Sequence, residues 1–254
     1  MQDDSILRSE NNGMLLARES SQSARYMDIL RSDKLTSNML DFVESLLAPV
    51  DNMNKSGHRY PFRSRYAHVE RVTEWALRIC EEEGGDAGIL AVASIFHDAG
   101  YHFIGEGHAR RSVIVFNEYI EKHRNSFEKG HTKLSALVYS ALTSASGLDE
   151  IRDIIAIHSD KILANGDISL EAGILMDADI LDETGAMAVL FDCYCEADEP
   201  KFDYYTTYER ISSRFANEGT DTANFHTKAG KRRFNDLRRY TGDFINGLKQ
   251  ELGL

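Results

Sequence analysis

Hydrophobic residues along this chain recur mostly at the three- and four-residue spacing of amphipathic helices. In the segment 65–85, His68, Val72 and Trp75 fall on one face, and a glycine pair ends the segment. The next segment, 87–97, is apolar almost throughout, which is typical of a buried element. The same spacing predicts further helices over 21–32, 36–48, 109–123, 132–143, 148–159, most of 167–197, 203–217 and 226–252.

The rest of the pattern offers no sign of a β-sheet. No segment shows sustained alternation of apolar and polar residues bounded by hairpin turns. The 254 residues include only 3 prolines, which favours long uninterrupted helices. We expect loops over 48–64, where Pro49, Gly57 and Pro61 break the pattern, and over 101–108. The sequence therefore predicts an all-α fold.

The charge balance narrows the classes of partner. The net charge is −12, from 29 basic and 41 acidic residues. This acidic excess argues against a broad nucleic-acid-binding face and against binding to anionic membranes, although a small nucleotide needs only a local cationic pocket. No apolar run approaches the ~20 residues of a membrane-spanning helix, and the N-terminus lacks the basic and apolar regions of a signal peptide. We expect a cytoplasmic protein without nucleic-acid or membrane partners.

The number of cysteines is consistent with a cytoplasmic location. There are 3 of them, Cys80, Cys193 and Cys195, an odd number that provides no disulfide framework and suggests reducing surroundings. Cys193 and Cys195 are two residues apart, but no second cysteine pair exists to complete a structural zinc site. We interpret all three as ordinary thiols.

Several ionisable residues occur in apolar helical settings. His68 lies on the apolar face of its segment, and His97 and Asp98 follow a buried run. His158 ends the apolar string IRDIIAIH, and Asp179 has apolar residues on both sides. Each residue alone has an ordinary structural explanation, but several buried ionisable groups must find partners. One divalent cation, held by neutral imidazoles and carboxylates on rigid helices, would satisfy them together.

The strings that carry these residues, YAHVERV, SIFHDAGY, IAIHSDK and MDADILDETGA, follow one another in the chain. Their order resembles the HD superfamily of metal-dependent phosphohydrolases, and in particular the small stand-alone HD hydrolases. The resemblance covers about half of the chain, from about residue 65 to 190. It implies an HD-domain-like helical bundle with extra N- and C-terminal helices. We expect an N-terminal extension over 1–60, with one or two helices, and the hydrolase domain over 61–254.

The resemblance also implies a metal site and its ligands. These would be His68, His97, Asp98 and Asp179, binding Mn, Fe, Co, Ni, Zn or Mg, with a second metal ion as an option. Asp177 is the alternative to Asp179 within the same string, and Asp182 would brace a ligand from behind.

A second pair of histidines in this family binds a second metal or the substrate phosphate. His158 fits one of the two positions, and both His108 and His131 fit the other. His131 lies nearer to His158 along the chain, at a distance that suits one helix-turn-helix. His108, in the string GEGHARRS, resembles the family's sequence after the histidine–aspartate pair. We favour His108 and expect His131 on an inserted surface helix.

The implied activity is hydrolysis of a phosphate ester, with a nucleotide or another small phosphorylated metabolite as substrate. Asp98 would orient or deprotonate the attacking water, and His108 and His158 would hold phosphate oxygens. The basic side chains that would neutralise the phosphate charge are Lys161, Arg110 and Arg111. Two alternatives stay open: an HD-type di-iron oxygenase, and a non-catalytic protein that binds metal and nucleotide. A homodimer is an option for the hydrolase and for both alternatives.

Overall fold

Eleven α-helices make up the part of the chain that the computed structural model describes, residues 25–51, 64–102, 107–160, 168–197, 203–215 and 225–254. Two short 3₁₀ turns, Ala99–His102 and Arg124–Ser126, join some of them, and these ranges contain no strand. The all-α prediction is confirmed. The helices are α1 (Tyr26–Arg31), α2 (Lys34–Asp51), α3 (Arg65–Glu83), α4 (Ala87–Phe96), α5 (His108–His123), α6 (Lys133–Thr143), α7 (Ala145–Ile157), α8 (Leu170–Asp182), α9 (Ala186–Ala197), α10 (Tyr204–Phe215) and α11 (Lys228–Glu251).

Side-chain caps fix where many of these helices begin. The Ser64 hydroxyl accepts a hydrogen bond from the Ala67 amide at the start of α3, and the Asp86 carboxylate accepts from two amides at the start of α4. Such caps satisfy amides that have no partner within the helix. Further caps of this kind are Thr132, Ser144, Ser169 and Thr227, at the starts of α6, α7, α8 and α11.

Helix α4 is the centre of the main hydrophobic core. Every residue from Gly88 to Phe96 is buried, and α3, α6, α7 and α8 pack around this helix. A side chain at Gly88 would collide with the backbone of Leu137 in α6, which explains the glycine. Because α4 is enclosed on all sides, the two residues that follow it, His97 and Asp98, also lie inside the protein.

A second close approach positions the start of α5. Gly100 lies against the backbone of His108 and Ser112, and its amide donates a hydrogen bond to the Ser112 hydroxyl at 2.8 Å. A Cβ at this position would collide with the His108 carbonyl oxygen. The glycine therefore allows α5 to begin directly beside the turn that carries Asp98.

Several predicted boundaries differ from the structure. Helix α2 continues through Pro49 to Asp51, three residues beyond the predicted end. The segment 167–197 divides into α8 and α9, and Gly185, with a positive φ of 79°, lies in the turn just before α9 begins. His131 is exposed and lies before α6 begins, so the prediction that it lies on an inserted helix is wrong.

The helices near the chain ends attach in two ways. Apolar residues of α1 and α2, among them Leu30 and Met39, belong to the same core cluster as α4, and the division at residue 60 stays a prediction. Helices α9, α10 and α11 share a smaller core of Val189, Ile211 and Ile245.

Across the described ranges, no helix is long and apolar enough to span a membrane. Cys80 and Cys193 are free thiols, and the side chain of Cys195 lies outside the described residues.

Candidate metal centre

Four side chains from three parts of the fold converge at the end of α4. The Nε2 atom of His68, on α3, lies 3.3 Å from Asp98 Oδ2, from Asp179 Oδ1 and from His97 Nε2. His97 Nε2 is 3.7 Å from Asp98 Oδ2. His68, His97 and Asp98 are buried, and Asp179 is nearly so, with 13% of its side chain exposed. We call these four residues the first cluster.

Asp182, one turn after Asp179 on α8, braces the first cluster from behind. Its Oδ2 atom lies 2.7 Å from His68 Nδ1, and Arg71 binds both carboxylate oxygens, with Nη2 at 2.9 Å from Oδ2. Because Asp182 is ionised and accepts only, His68 donates its Nδ1 proton, which leaves Nε2 to face the cluster. The pKa of Asp182 is lowered, since hydrogen bonds from His68 and Arg71 outweigh its burial.

The same kind of hydrogen bond to a helix carbonyl orients two further imidazoles. His97 directly follows α4 and His158 directly follows α7. The Nδ1 of His97 donates to the Ser94 carbonyl at 2.6 Å, and the Nδ1 of His158 donates to the Ile155 carbonyl at 2.7 Å. Carbonyls in the last turn of a helix lack a partner within the helix and are free to accept. Both rings therefore turn Nε2 inward.

Asp98 connects the first cluster to a second one. Its Oδ1 atom lies 3.5 Å from His108 Nε2 and 3.6 Å from His158 Nε2, and these two nitrogens are 3.2 Å apart. We call Asp98, His108 and His158 the second cluster. One carboxylate oxygen thus faces each cluster, so Asp98 would contribute a ligand atom to an ion held in either. His108 is the most exposed member, with 25% of its side chain accessible.

Burial and neighbouring charges set the protonation of these groups. Complete burial lowers the pKa of His97 to about 4, so this imidazole is neutral near pH 7. Burial would raise the pKa of Asp98, but the surrounding histidines hold it well below its usual range. Burial also opposes charge on His68, yet the carboxylates of Asp179, Asp182 and Asp98 raise its pKa well above normal. The centre is therefore strongly attractive to positive charge.

The donor set fits a first-row divalent metal ion. Ligand atoms bound at about 2.1 Å lie roughly 3–3.4 Å apart around such an ion, and the His68 contacts are 3.3 Å. His68 Nε2 and His97 Nε2 face each other at 3.3 Å, and either a proton on His68 or a metal ion in its place would satisfy both nitrogens. Mixed imidazole and carboxylate ligands suit Mn, Fe, Co, Ni or Zn. His68, His97 and Asp98 of the first cluster, and all three residues of the second, lie close enough together to hold a metal ion.

Two residues beside the centre were not singled out from the sequence. Arg65 approaches Asp98 Oδ2 with Nη1 at 3.3 Å, and its guanidinium lies over the Tyr101 ring at 3.9 Å. Tyr101 stacks on His108, with ring centres 4.4 Å apart. The spacing contains a signal for each: Arg65 is three residues before His68 on one helix face, and Tyr101 is three residues after Asp98.

The other candidates belong to neither cluster in the part of the chain that the structure describes. The amide of His131 donates to Asp33 Oδ2 at 2.9 Å, beside a cavity of about 120 Å³ between α2 and α5. Asp177 accepts hydrogen bonds from the amides of His226 and Thr227 and holds the start of α11 instead of joining a cluster. Lys161 lies outside the described residues. Arg110 is exposed and Arg111 half-buried, on the first turn of α5. The functional roles of all these residues stay predictions.

Comparison with known proteins finds one family match. The sequence model of the HD domain matches residues 65–184, a range that includes both clusters. No curated protein sequence matches the chain significantly.

Solved structures with the same fold are small bacterial proteins. A predicted HD superfamily hydrolase from an uncultured Thermotogales bacterium is 20% identical, with a TM-score of 0.52 over 85% of this chain and 92% of that one. YpgQ of Bacillus subtilis, solved in complex with ADP, is 18% identical, with a TM-score of 0.52 over 85% and 93%. An HD-superfamily hydrolase from Bacillus thuringiensis is 21% identical, with a TM-score of 0.52 over 85% and 96%. At these identities the likeness establishes the fold.

Proposed function

Since residues 65–184 match the sequence model of the HD domain, we propose that this chain is a metal-dependent phosphohydrolase that acts on a small phosphate ester. The observation that carries the proposal is the position of Asp98, a buried carboxylate with one oxygen toward each of two sets of inward-facing imidazoles. Such an arrangement suits chemistry in which an attacking oxygen and a phosphoryl oxygen must both be held.

The first cluster would hold the metal through His68, His97, Asp98 and Asp179. A divalent cation bound there supplies Lewis acidity, which lowers the pKa of a bound water and withdraws charge from a phosphoryl oxygen. His97 is neutral above pH about 4 and needs no deprotonation to act as a ligand. Asp98, whose pKa is held well below its usual range, stays ionised. It would accept a hydrogen bond from the attacking water and so fix the direction of the water's lone pairs.

The second cluster would receive the phosphate or a second metal ion. His108 and His158 present their Nε2 atoms 3.2 Å apart, and both face Asp98 Oδ1. Arg65 supplies a positive charge at the edge of the centre, with 36% of its side chain exposed. Lys161, Arg110 and Arg111 are the remaining candidates. In a protein of net charge −12, an anionic substrate needs such local cations.

A nucleotide is the substrate class we favour. The protein with the same fold from Bacillus subtilis was solved with ADP, and the sequence of this chain suits small anions better than polymeric ones because it is acidic overall.

Phosphate release tests the proposal. The protein is stripped of metal by chelation, reloaded separately with Mn²⁺, Co²⁺, Ni²⁺, Zn²⁺ or Mg²⁺, and incubated with nucleoside mono-, di- and triphosphates. We expect hydrolysis with at least one metal, and loss of at least 100-fold in kcat/KM for Asp98→Asn, the order expected when a directly acting group is removed. His131→Ala is the matched control, because His131 is exposed and lies apart from both clusters.

Two other results would redirect the assignment. Oxygen consumption by the iron-loaded protein, without phosphate release, would support the di-iron oxygenase alternative. Tight binding of metal and ADP without turnover of any ester would support a non-catalytic binding protein.

A further inference from the structure

The imidazole of His108 is oriented differently from the other three in the centre. His68, His97 and His158 each donate Nδ1 to a fixed acceptor: Asp182, the Ser94 carbonyl and the Ile155 carbonyl. Nδ1 of His108 has no hydrogen-bond partner among the residues that the structure describes. Its ring instead stacks on Tyr101 at 4.4 Å, with the planes 19° apart. Something other than a hydrogen bond must hold this ring.

The far side of Tyr101 is also occupied. The Arg65 guanidinium lies 3.9 Å from the centre of the Tyr101 ring. Two flat groups cannot both stack within about 4 Å of one ring on the same face, so Arg65 and His108 lie on opposite faces. Arg65 is in turn held by Asp98 Oδ2, at 3.3 Å from Nη1. The tyrosine ring is therefore fixed between a cation and an imidazole.

We propose that Tyr101 is the positioning residue of the second cluster, and that its stacking on His108 replaces the hydrogen bond that orients the other three imidazoles. This proposal rests on metal binding by the clusters, as proposed above. Outer groups that orient a ligand usually change metal affinity when they are removed. The second cluster should therefore depend on the Tyr101 ring, whereas the first should not.

The ring and the hydroxyl make separable contributions. Tyr101→Phe retains the ring and its stacking surface. Tyr101→Leu and Tyr101→Met retain an apolar side chain but remove the stacking. Met is flexible and fills irregular space, so this variant preserves the fold if the leucine variant does not. Tyr139→Leu, at a half-buried tyrosine of α6, is the matched control for loss of a tyrosine.

Titration of metal-free protein with Mn²⁺, followed by calorimetry and by the electron paramagnetic resonance of free Mn²⁺, measures the two sites directly. We expect two equivalents for the wild type, Tyr101→Phe and Tyr139→Leu. For Tyr101→Leu and Tyr101→Met we expect the first equivalent to bind within twofold of wild type. The second should bind roughly 10- to 100-fold more weakly.

Three results would overturn the inference. Wild-type affinity for both equivalents in Tyr101→Leu and Tyr101→Met would show that stacking is unimportant. Equal weakening in Tyr101→Phe would assign the effect to the hydroxyl. A single equivalent in an active wild type would show that the second cluster holds no Mn²⁺, while the proposed hydrolase function survives. Failure of the function itself looks different, since the wild type would then bind no metal or hydrolyse no ester.

Discussion

The close packing at Gly100 gives a prediction whose size can be worked out from the structure. A Cβ added at this residue would collide with the His108 carbonyl oxygen, would lie 2.6 Å from the Ser112 amide nitrogen and would lie 2.9 Å from the Arg111 Cβ. Two of these three atoms are backbone, so no side-chain rotation relieves the overlap. For Gly100→Ala, the start of α5 must move away from the turn that carries Asp98.

Overpacking of this kind typically costs about 1–3 kcal/mol. For a protein of this size, each kcal/mol lowers Tm by about 2–4 °C, so Gly100→Ala should melt roughly 2–12 °C below wild type. Because His108 begins α5, its imidazole moves with the helix, and the second metal equivalent should weaken as well. Thermal unfolding followed by circular dichroism measures the first effect, and Mn²⁺ titration measures the second.

Gly247→Ala is the matched control. Gly247 lies within α11, and a Cβ there would meet nothing within 4 Å. Replacing a glycine within a helix by alanine gains about 0.5–1 kcal/mol, so this variant should melt above wild type and bind metal normally. If Gly100→Ala were as stable as wild type and kept both metal equivalents, the packing argument for the position of His108 would be refuted.

Three further predictions follow from individual contacts. Asp182→Asn removes the carboxylate behind His68 and should weaken the first metal equivalent roughly 10- to 100-fold in a Mn²⁺ titration; unchanged affinity would contradict the bracing role. Asp177→Ala removes the acceptor that holds Thr227 at the start of α11, and it should lose about 1–3 kcal/mol in urea unfolding with metal content unchanged. Metal removal with a chelator should lower Tm, since a metal at 100 times its Kd stabilises the folded state by about 2.7 kcal/mol; equal melting with and without metal would argue against a resident ion.

Much of the fold could be predicted from the sequence because each helix is specified by the spacing of apolar residues within its own segment. The apolar spacing in 65–85 and the continuous apolar run in 87–97 determine the two helices that meet at the centre. The end of α2 was harder to predict, since Pro49 is a helix breaker in most contexts but lies in the last turn here. The break at Gly185 follows three polar residues, Asp182 to Thr184, and separates two apolar strings that the apolar spacing predicts to be one mostly helical segment.

The choice between His108 and His131 shows where chain spacing alone is insufficient, since the resemblance of the string GEGHARRS favoured His108. Chain spacing favoured His131, because a short separation from His158 suits one helix-turn-helix. The structure instead brings His108 to His158 through the tight contact at Gly100, which brings two distant segments together and leaves no periodic signal. Arg65 and Tyr101 were missed for a related reason, since their stacking is visible only when α3, the turn after α4 and the start of α5 are assembled.

Anomalous diffraction from crystals grown with Mn²⁺ tests the central claim most directly. The account predicts a peak within about 2.0–2.3 Å of ligand atoms from His68, His97, Asp98 and Asp179, together with a second, weaker peak between His108 and His158. His97→Ala crystals should lack the first peak. A Mn²⁺ peak elsewhere in the protein, with the two clusters empty at saturating metal, would contradict the account.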